Sequence, residues 1–190
     1  MTIWNLVKFT EARQVAQLMR VEEDGLPDVG ITPIAHLAAM RAESARADAI
    51  RFIGLALPRF EAVAWAAHLL EGEARDRRLP PRDRQALDFA LRWLGDPNDE
   101  RRRAAIDAAE AAAERAPERL LGLAVFFSGG SISLPDLPAV LPPPESAGTF
   151  AGAAILAAGY RTDDPNELFD RALDTGEAVA EQGLDALRSR

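Results

Sequence analysis

Cysteine is absent from the 190 residues, which excludes disulfides, thiol nucleophiles and cysteine-ligated metals together. That fits a cytoplasmic protein, and a cytoplasmic location is the expectation. Histidine is nearly absent, with only His36 and His68. No H-E-x-x-H occurs, and neither histidine has a histidine or carboxylate four residues on, so no metal and no cofactor is expected. Helical spacing puts His36 opposite the Ile34/Leu37/Ala38 stripe, facing solvent, and His68 at the edge of an apolar face near Glu61 and Glu71. Positive charge is in the minority, with 22 Lys and Arg against 30 Asp and Glu. Nucleic acids are held by clustered cations, so the net charge of −8 argues against a nucleic-acid partner. Long apolar runs are missing too. The longest in the C-terminal half, residues 150–159, falls short of the roughly 20 residues a spanning helix needs. Residues 1–9 carry Trp4, Asn5 and Lys8 rather than a basic start and an apolar core, so neither a signal peptide nor membrane insertion is expected. β-branched residues are scarce, which weakens any sheet reading.

Alanine dominates what is there, and alanine is the best helix former. Proline and capping residues divide the chain into helical segments. Thr10 is placed to cap a first helix with Val15, Leu18 and Met19, and residues 22–30 read as an acidic loop. Thr32-Pro33, Pro58, Asp83, Asp96-Pro97, Pro117 and Asp164-Pro165 mark further starts. Ser44 restarts or continues the second helix. Stripes such as Leu87, Ala90, Leu91 and Leu94 keep the helical period. The expected fold is all-α: an irregular bundle or stack of helical hairpins of about six to eight helices, forming a single domain over 1–190. Residues 1–30 would be an N-terminal helix and loop.

One segment, 131–146, excludes a helix through Pro135, Pro138, Pro142, Pro143 and Pro144. Among these prolines recur Leu134, Leu137, Val140 and Leu141. The expectation is a strap lying over the helices with its aliphatics buried. Its outer edge, Asp136 with Pro142, Pro143 and Pro144, would be the candidate surface for a partner protein.

Other candidate sites have plainer readings. Arg101-Arg102-Arg103 follows Asp96, Asp99 and Glu100, and Arg103 can pair with Asp107, so the run reads as a solvated face rather than a phosphate site. Ser128-Gly129-Gly130-Ser131 follows a helix and leads into prolines, whereas a phosphate-binding loop joins a strand to a helix with lysine following. It therefore reads as a glycine helix stop. No G-x-S-x-G occurs. The carboxylates are spaced as helix surface. Trp65, Phe89 and Trp93 read as core. No catalytic residue emerges, and the protein is expected not to be an enzyme.

Two stretches resemble motifs of an uncharacterised family of helical bacterial proteins. The first is Leu57-Pro58-Arg59-Phe60-Glu61-Ala62-Val63-Ala64-Trp65-Ala66. The second is Phe126-Phe127-Ser128-Gly129-Gly130-Ser131, followed by the prolines and the small-residue helix at 150–158. The resemblance runs from about Ala45 to Leu187 and departs at Ala64, where the family tends to carry a first tryptophan. It implies structural roles for Pro58, Arg59, Glu61, Trp65, Phe127, Ser128, Gly129 and Gly130. Arg59 is expected to reach an acidic partner on a neighbouring helix. The resemblance also implies a link to accessory proteins of type VI-like secretion systems. The functional expectation is a non-enzymatic accessory or adaptor that binds another protein. The alternatives are an immunity protein for a neighbouring toxin and a helical enzyme with an unrecognised site.

Overall fold

A computed structural model describes residues 3–134 and 136–188. Thr32 accepts a hydrogen bond from the Ala35 amide at 3.2 Å, and Pro33 fills the first helical position. Asp164 and Pro165 repeat the device, with Asp164 accepting from Asn166 at 3.0 Å. These caps satisfy amides that a helix start leaves unpaired. Nine α-helices follow among the described residues: α1 (Ala12–Leu18), α2 (Pro33–Ala42), α3 (Arg46–Ala56), α4 (Arg59–Asp76), α5 (Pro81–Gly95), α6 (Asp99–Ala111), α7 (Pro117–Phe126), α8 (Ser146–Gly159) and α9 (Pro165–Gln182). Short 3-10 turns lie at Glu23–Gly25 and Gly183–Leu187, and no strand occurs among the described residues.

The helix count exceeds the expected six to eight because Ser44 breaks the chain outright. It sits at φ 59° between α2 and α3. Three other boundaries differ. The first cap is Glu11, with the Gln14 side chain accepting from the Glu11 amide at 3.1 Å, rather than Thr10. Asn98 caps α6, not Asp96, and accepts from the Arg101 amide at 2.9 Å. Asp83 lies inside α5, where its buried carboxylate accepts from the Ala113 amide at 2.9 Å and ties α5 to the end of α6.

Helix α8 is the hub, packed against α3, α4, α7 and α9. Its small residues permit this. A Cβ at Gly148 would sit 2.1 Å from the Gly54 carbonyl oxygen of α3, so the two backbones touch where only glycine fits. Trp65 is wholly buried at the centre and donates its indole N–H to the Ala172 carbonyl of α9 at 2.9 Å. Helices α5, α6 and α7 pack on one another at one end, and α1 and α2 pack on α3 at the other. The N-terminal segment docks beside α9, with the Leu6 amide donating to the Ala180 carbonyl at 3.1 Å.

Candidate partner-binding surface

Segment 131–144 is displayed by arginines. Arg102 is 4% exposed. It donates to the Phe126 carbonyl at 2.7 Å, to the Ser131 carbonyl at 2.8 Å and, through Nε, to Asp99 at 3.0 Å. Its guanidinium also lies over the Phe126 ring, 4.8 Å from the centroid. Arg103 donates to Ser131 and Ser133 carbonyls at 3.1 and 3.0 Å, and to Asp99 at 2.9 Å. Hydrogen bonds from Arg102 and then Arg103 hold the Asp99 carboxyl below its ordinary pKa. The basic run is therefore no solvated face. Two of its three members close the base of the segment, and Arg103 turns back to Asp99 rather than on to Asp107. A planar guanidinium can bridge several carbonyls at once, which is why arginine suits this clamp.

The segment also closes on itself. The Ile132 amide donates to the Val140 carbonyl at 2.8 Å, while the Ser131 hydroxyl oxygen accepts from the Ser133 and Val140 amides, each at 3.1 Å. Gly130 sits at φ +69° directly before this ring, and a Cβ there would come within 3.1 Å of the Arg102 guanidinium. The glycine stop thus serves both the left-handed turn and the arginine's approach.

With its base satisfied by arginines, the segment does not need the core. Leu134, Leu137, Val140 and Leu141 are 69, 58, 52 and 74% exposed. The expectation of a strap with buried aliphatics is overturned: polar closure of the loop turns these side chains outward. Asp136, Pro143 and Pro144 are exposed beside them, whereas Pro142 is buried. Pro135 lies outside the described residues.

The two motifs meet at this base. Arg59 donates to the Pro144 carbonyl at 3.3 Å and lies 3.5 Å from the Ser128 carbonyl, so its partners are loop carbonyls and not the acidic side chain expected. Pro58 precedes α4, and Glu61 lies in its first turn. Phe127 stacks on Phe150 of α8 at 5.3 Å between centroids. Ser128 donates its hydroxyl back to the Val125 carbonyl at 2.7 Å, ending α7. Ser128, Gly129 and Gly130 rim a shallow depression of about 310 Å³ with Phe60 and Trp93.

A second surface adjoins the point where the segment enters α8, with Glu145 and Ser146 in its lining. A groove of about 1080 Å³ runs between α1, α2, α3 and α8, with Met19, Met40, Leu55, Phe150 and Tyr160 among its lining residues. His36 belongs to this wall. It is half-buried, edge-on to Phe52 at 5.2 Å, and burial lowers its pKa against the opposing pull of Glu43. The solvent-facing position expected for it fails because Phe52 of α3 covers that side of α2. His68 is half-buried, at the boundary expected. Among the described residues no group of three His, Asp or Glu side chains could hold a metal ion, and no helix is long and apolar enough to cross a membrane.

One buried charge escaped the sequence reading. Glu118 at the start of α7 is fully buried and takes a two-pronged contact from Arg161, at 2.8 and 3.0 Å. The pair lies 43 residues apart in sequence, and no spacing rule joins them. It ties α7 to the turn after α8, and both carboxylate oxygens are satisfied, so it reads as structural.

A family model covers residues 36–180, more than half the chain. The chain belongs to DUF6931, a family of unknown function. This agrees with the expectation of a helical family without an assigned activity, and the match begins and ends somewhat earlier than the resemblance suggested. No curated protein and no solved structure matches the chain. The DUF6931 match contains the arginine clamp, the loop and three of the groove's four walls, while α1 precedes it.

Proposed function

We propose that this DUF6931 protein is a non-enzymatic accessory or adaptor that binds another protein through loop 131–144. The secretion-system setting implied by the motif resemblance belongs to the same proposal. One observation carries it: four neighbouring aliphatics stand exposed on a loop that a buried arginine and its own internal hydrogen bonds hold in one shape. Exposed apolar patches of this kind mark interaction sites, and a preordered loop loses less conformational entropy on docking. Asp136 and the exposed Pro143 and Pro144 lie alongside and would contribute to the same contact. Among the described residues, no group of three His, Asp or Glu side chains around this loop could hold a metal ion. The test compares proteins captured from the native host by the full chain and by a Leu134→Ser/Leu137→Ser/Leu141→Ser variant of equal stability. Loss of a reproducible, near-stoichiometric partner is the expected result. An unchanged set of captured proteins would refute the loop as the docking surface.

A further inference from the structure

The walls of the α1/α2/α3/α8 groove set the kind of segment that fits it. Two of the chain's three methionines, Met19 and Met40, line it, together with Leu55 and Phe150. Methionine is unbranched and adapts its shape, which suits a surface that packs against an incoming chain. From α8, Thr149, Ala153 and Ala157 line the groove at four-residue spacing. Such a row of small side chains is a furrow into which the ridge of another helix packs. The volume of about 1080 Å³ matches roughly two to three turns of a helix about 10 Å across with a pitch of ~5.4 Å. An extended segment suits it less, because the walls are helices and offer no strand edge to pair with.

The charges around the groove give that segment its sign. Asp48 and Arg51 pair at 3.1 Å and cancel. Glu43 and Glu145 line the groove and make no ion pair among the described residues. Segment 22–28 lies at the mouth, with Gly25 and Pro27 in the lining. Its Glu22, Asp24 and Asp28 are exposed and also without an ion pair, whereas Glu23 is held by Arg13 at 3.1 Å. Against these five carboxylates stands Arg20, the single lining cation that makes no ion pair among the described residues. Burial lowers the pKa of His36, so its imidazole is neutral at neutral pH. The mouth is therefore electronegative, on a chain whose net charge is already −8. We propose that this groove is a second protein-binding site, which takes an amphipathic helix of another protein. The helix would lay its apolar face on the methionines and the α8 row, and its flanking lysines or arginines would meet the carboxylates of the rim. This goes beyond the reading of the loop and does not depend on it. The backbone agrees with a site here. Arg20 at φ 60° and Ser44 at φ 59°, just past the ends of α1 and α2, are the only non-glycine residues in the left-handed region among the described ones. Glycine is the usual choice at such ends, and strain of this kind gathers at binding sites.

The probe is a fluorescein-labelled peptide of leucine and lysine about four turns long, with its leucines on one helical face. One control has the same composition in an order without an apolar face, and another has glutamate in place of lysine. Titrated with the full chain, the first peptide should bind saturably with a Kd of about 1–100 μM. Its affinity should fall as salt rises from about 50 to about 500 mM. The reordered peptide should bind at least about tenfold more weakly, having no face to lay in the furrow. The glutamate peptide should not bind. Ala153→Trp fills the α8 row and should abolish binding. Glu43→Gln with Glu145→Gln keeps the shape of the groove, should the tryptophan prevent folding, and should weaken binding by up to about fivefold for each carboxylate. Arg20→Gly removes the opposing cation and should tighten it. The Leu134→Ser/Leu137→Ser/Leu141→Ser variant should bind as the wild type does. The proposal is overturned if the wild type shows no saturable binding, if the reordered peptide binds equally well, or if both groove variants keep full affinity. Loss of the peptide in the loop variant moves the site to the loop and overturns it too. So does binding of a neutral detergent in place of the peptide, which assigns the groove to a small apolar ligand, or self-association abolished by Ala153→Trp in place of peptide binding, which assigns it to a second copy. The groove variants alter no loop residue, so failure here leaves the capture test of the loop standing.

Discussion

The most consequential side chain is Arg102, which at sequence level sits inside a run that looks merely solvated. All but one of the chain's 22 basic residues are arginines, Lys8 being the exception, and several use the fork to hold carbonyls rather than carboxylates. Replacing Arg102 with methionine keeps the aliphatic bulk but leaves the Phe126 carbonyl without its arginine donor, while the Ser131 carbonyl keeps only Arg103, at 3.1 Å. The expected loss is roughly 1–3 kcal/mol of unfolding free energy, the scale of one acceptor left without its donor. A change within a few tenths, measured by denaturant unfolding, would mean the clamp is ornamental. His36 predicts a pH effect. Burial lowers its folded pKa below the ordinary 6.5, so protonation is harder in the folded state than in the unfolded one. Its contribution is complete above that ordinary value and is lost as pH falls through the lowered folded one. Stability should therefore decline as pH drops from about 7 to about 5, and His36→Gln should flatten that slope. A slope that survives the substitution assigns it to another group.

Among elements, the helices were legible, and so was the non-helical stretch after α7, but not the direction in which its aliphatics face. Thr32-Pro33, Pro58, Pro117 and Asp164-Pro165 announce their helices because caps and proline act within a few residues of themselves. Asp83 misled because a carboxylate can cap its own helix or serve a distant amide, here that of Ala113, and only packing decides. Asp96 misled because Asn98 takes the cap while Asp96 pairs with Arg101 at 3.1 Å. Loop 131–144 misled for a related reason. Its composition gives four large aliphatics, which read as buried, but their direction is set by Arg102 and Arg103 from α6, about 30 residues upstream. The structure makes a clear stability prediction here. The Leu134→Ser/Leu137→Ser/Leu141→Ser variant should unfold within about 0.5 kcal/mol of wild type, as exposed substitutions do. A strap covering the core would instead lose roughly 1.5–3 kcal/mol for each leucine. Thermal and denaturant unfolding separate the two without ambiguity.

At the scale of the whole molecule, the all-helical architecture and the absence of a recognisable catalytic motif came from composition and period alone. The proline-rich segment was singled out as a candidate surface as well, though with its aliphatics turned inward, whereas the groove was not seen at all. The groove is assembled from four helices spread between Ala16 and Tyr160, and its clearest sequence trace is a negative one: Arg20 and Ser44 where helix ends favour glycine. The motif around Pro58 and the motif around Gly130 are far apart in the chain, yet Arg59 and Ser128 meet beneath the loop. The two stretches therefore build a mount for an exposed surface, which is the core of the functional account.

That account is tested most directly by site-specific photo-crosslinking in the native host, with a photoreactive residue at position 137 on the loop and, as control, at the exposed Gln85 of α5. Position 137 should give a discrete adduct to another protein chain, whether a partner or a second copy, and position 85 should not. Equal yields of diffuse adducts from both positions, or none from position 137, would contradict the claim that this loop exists to be bound.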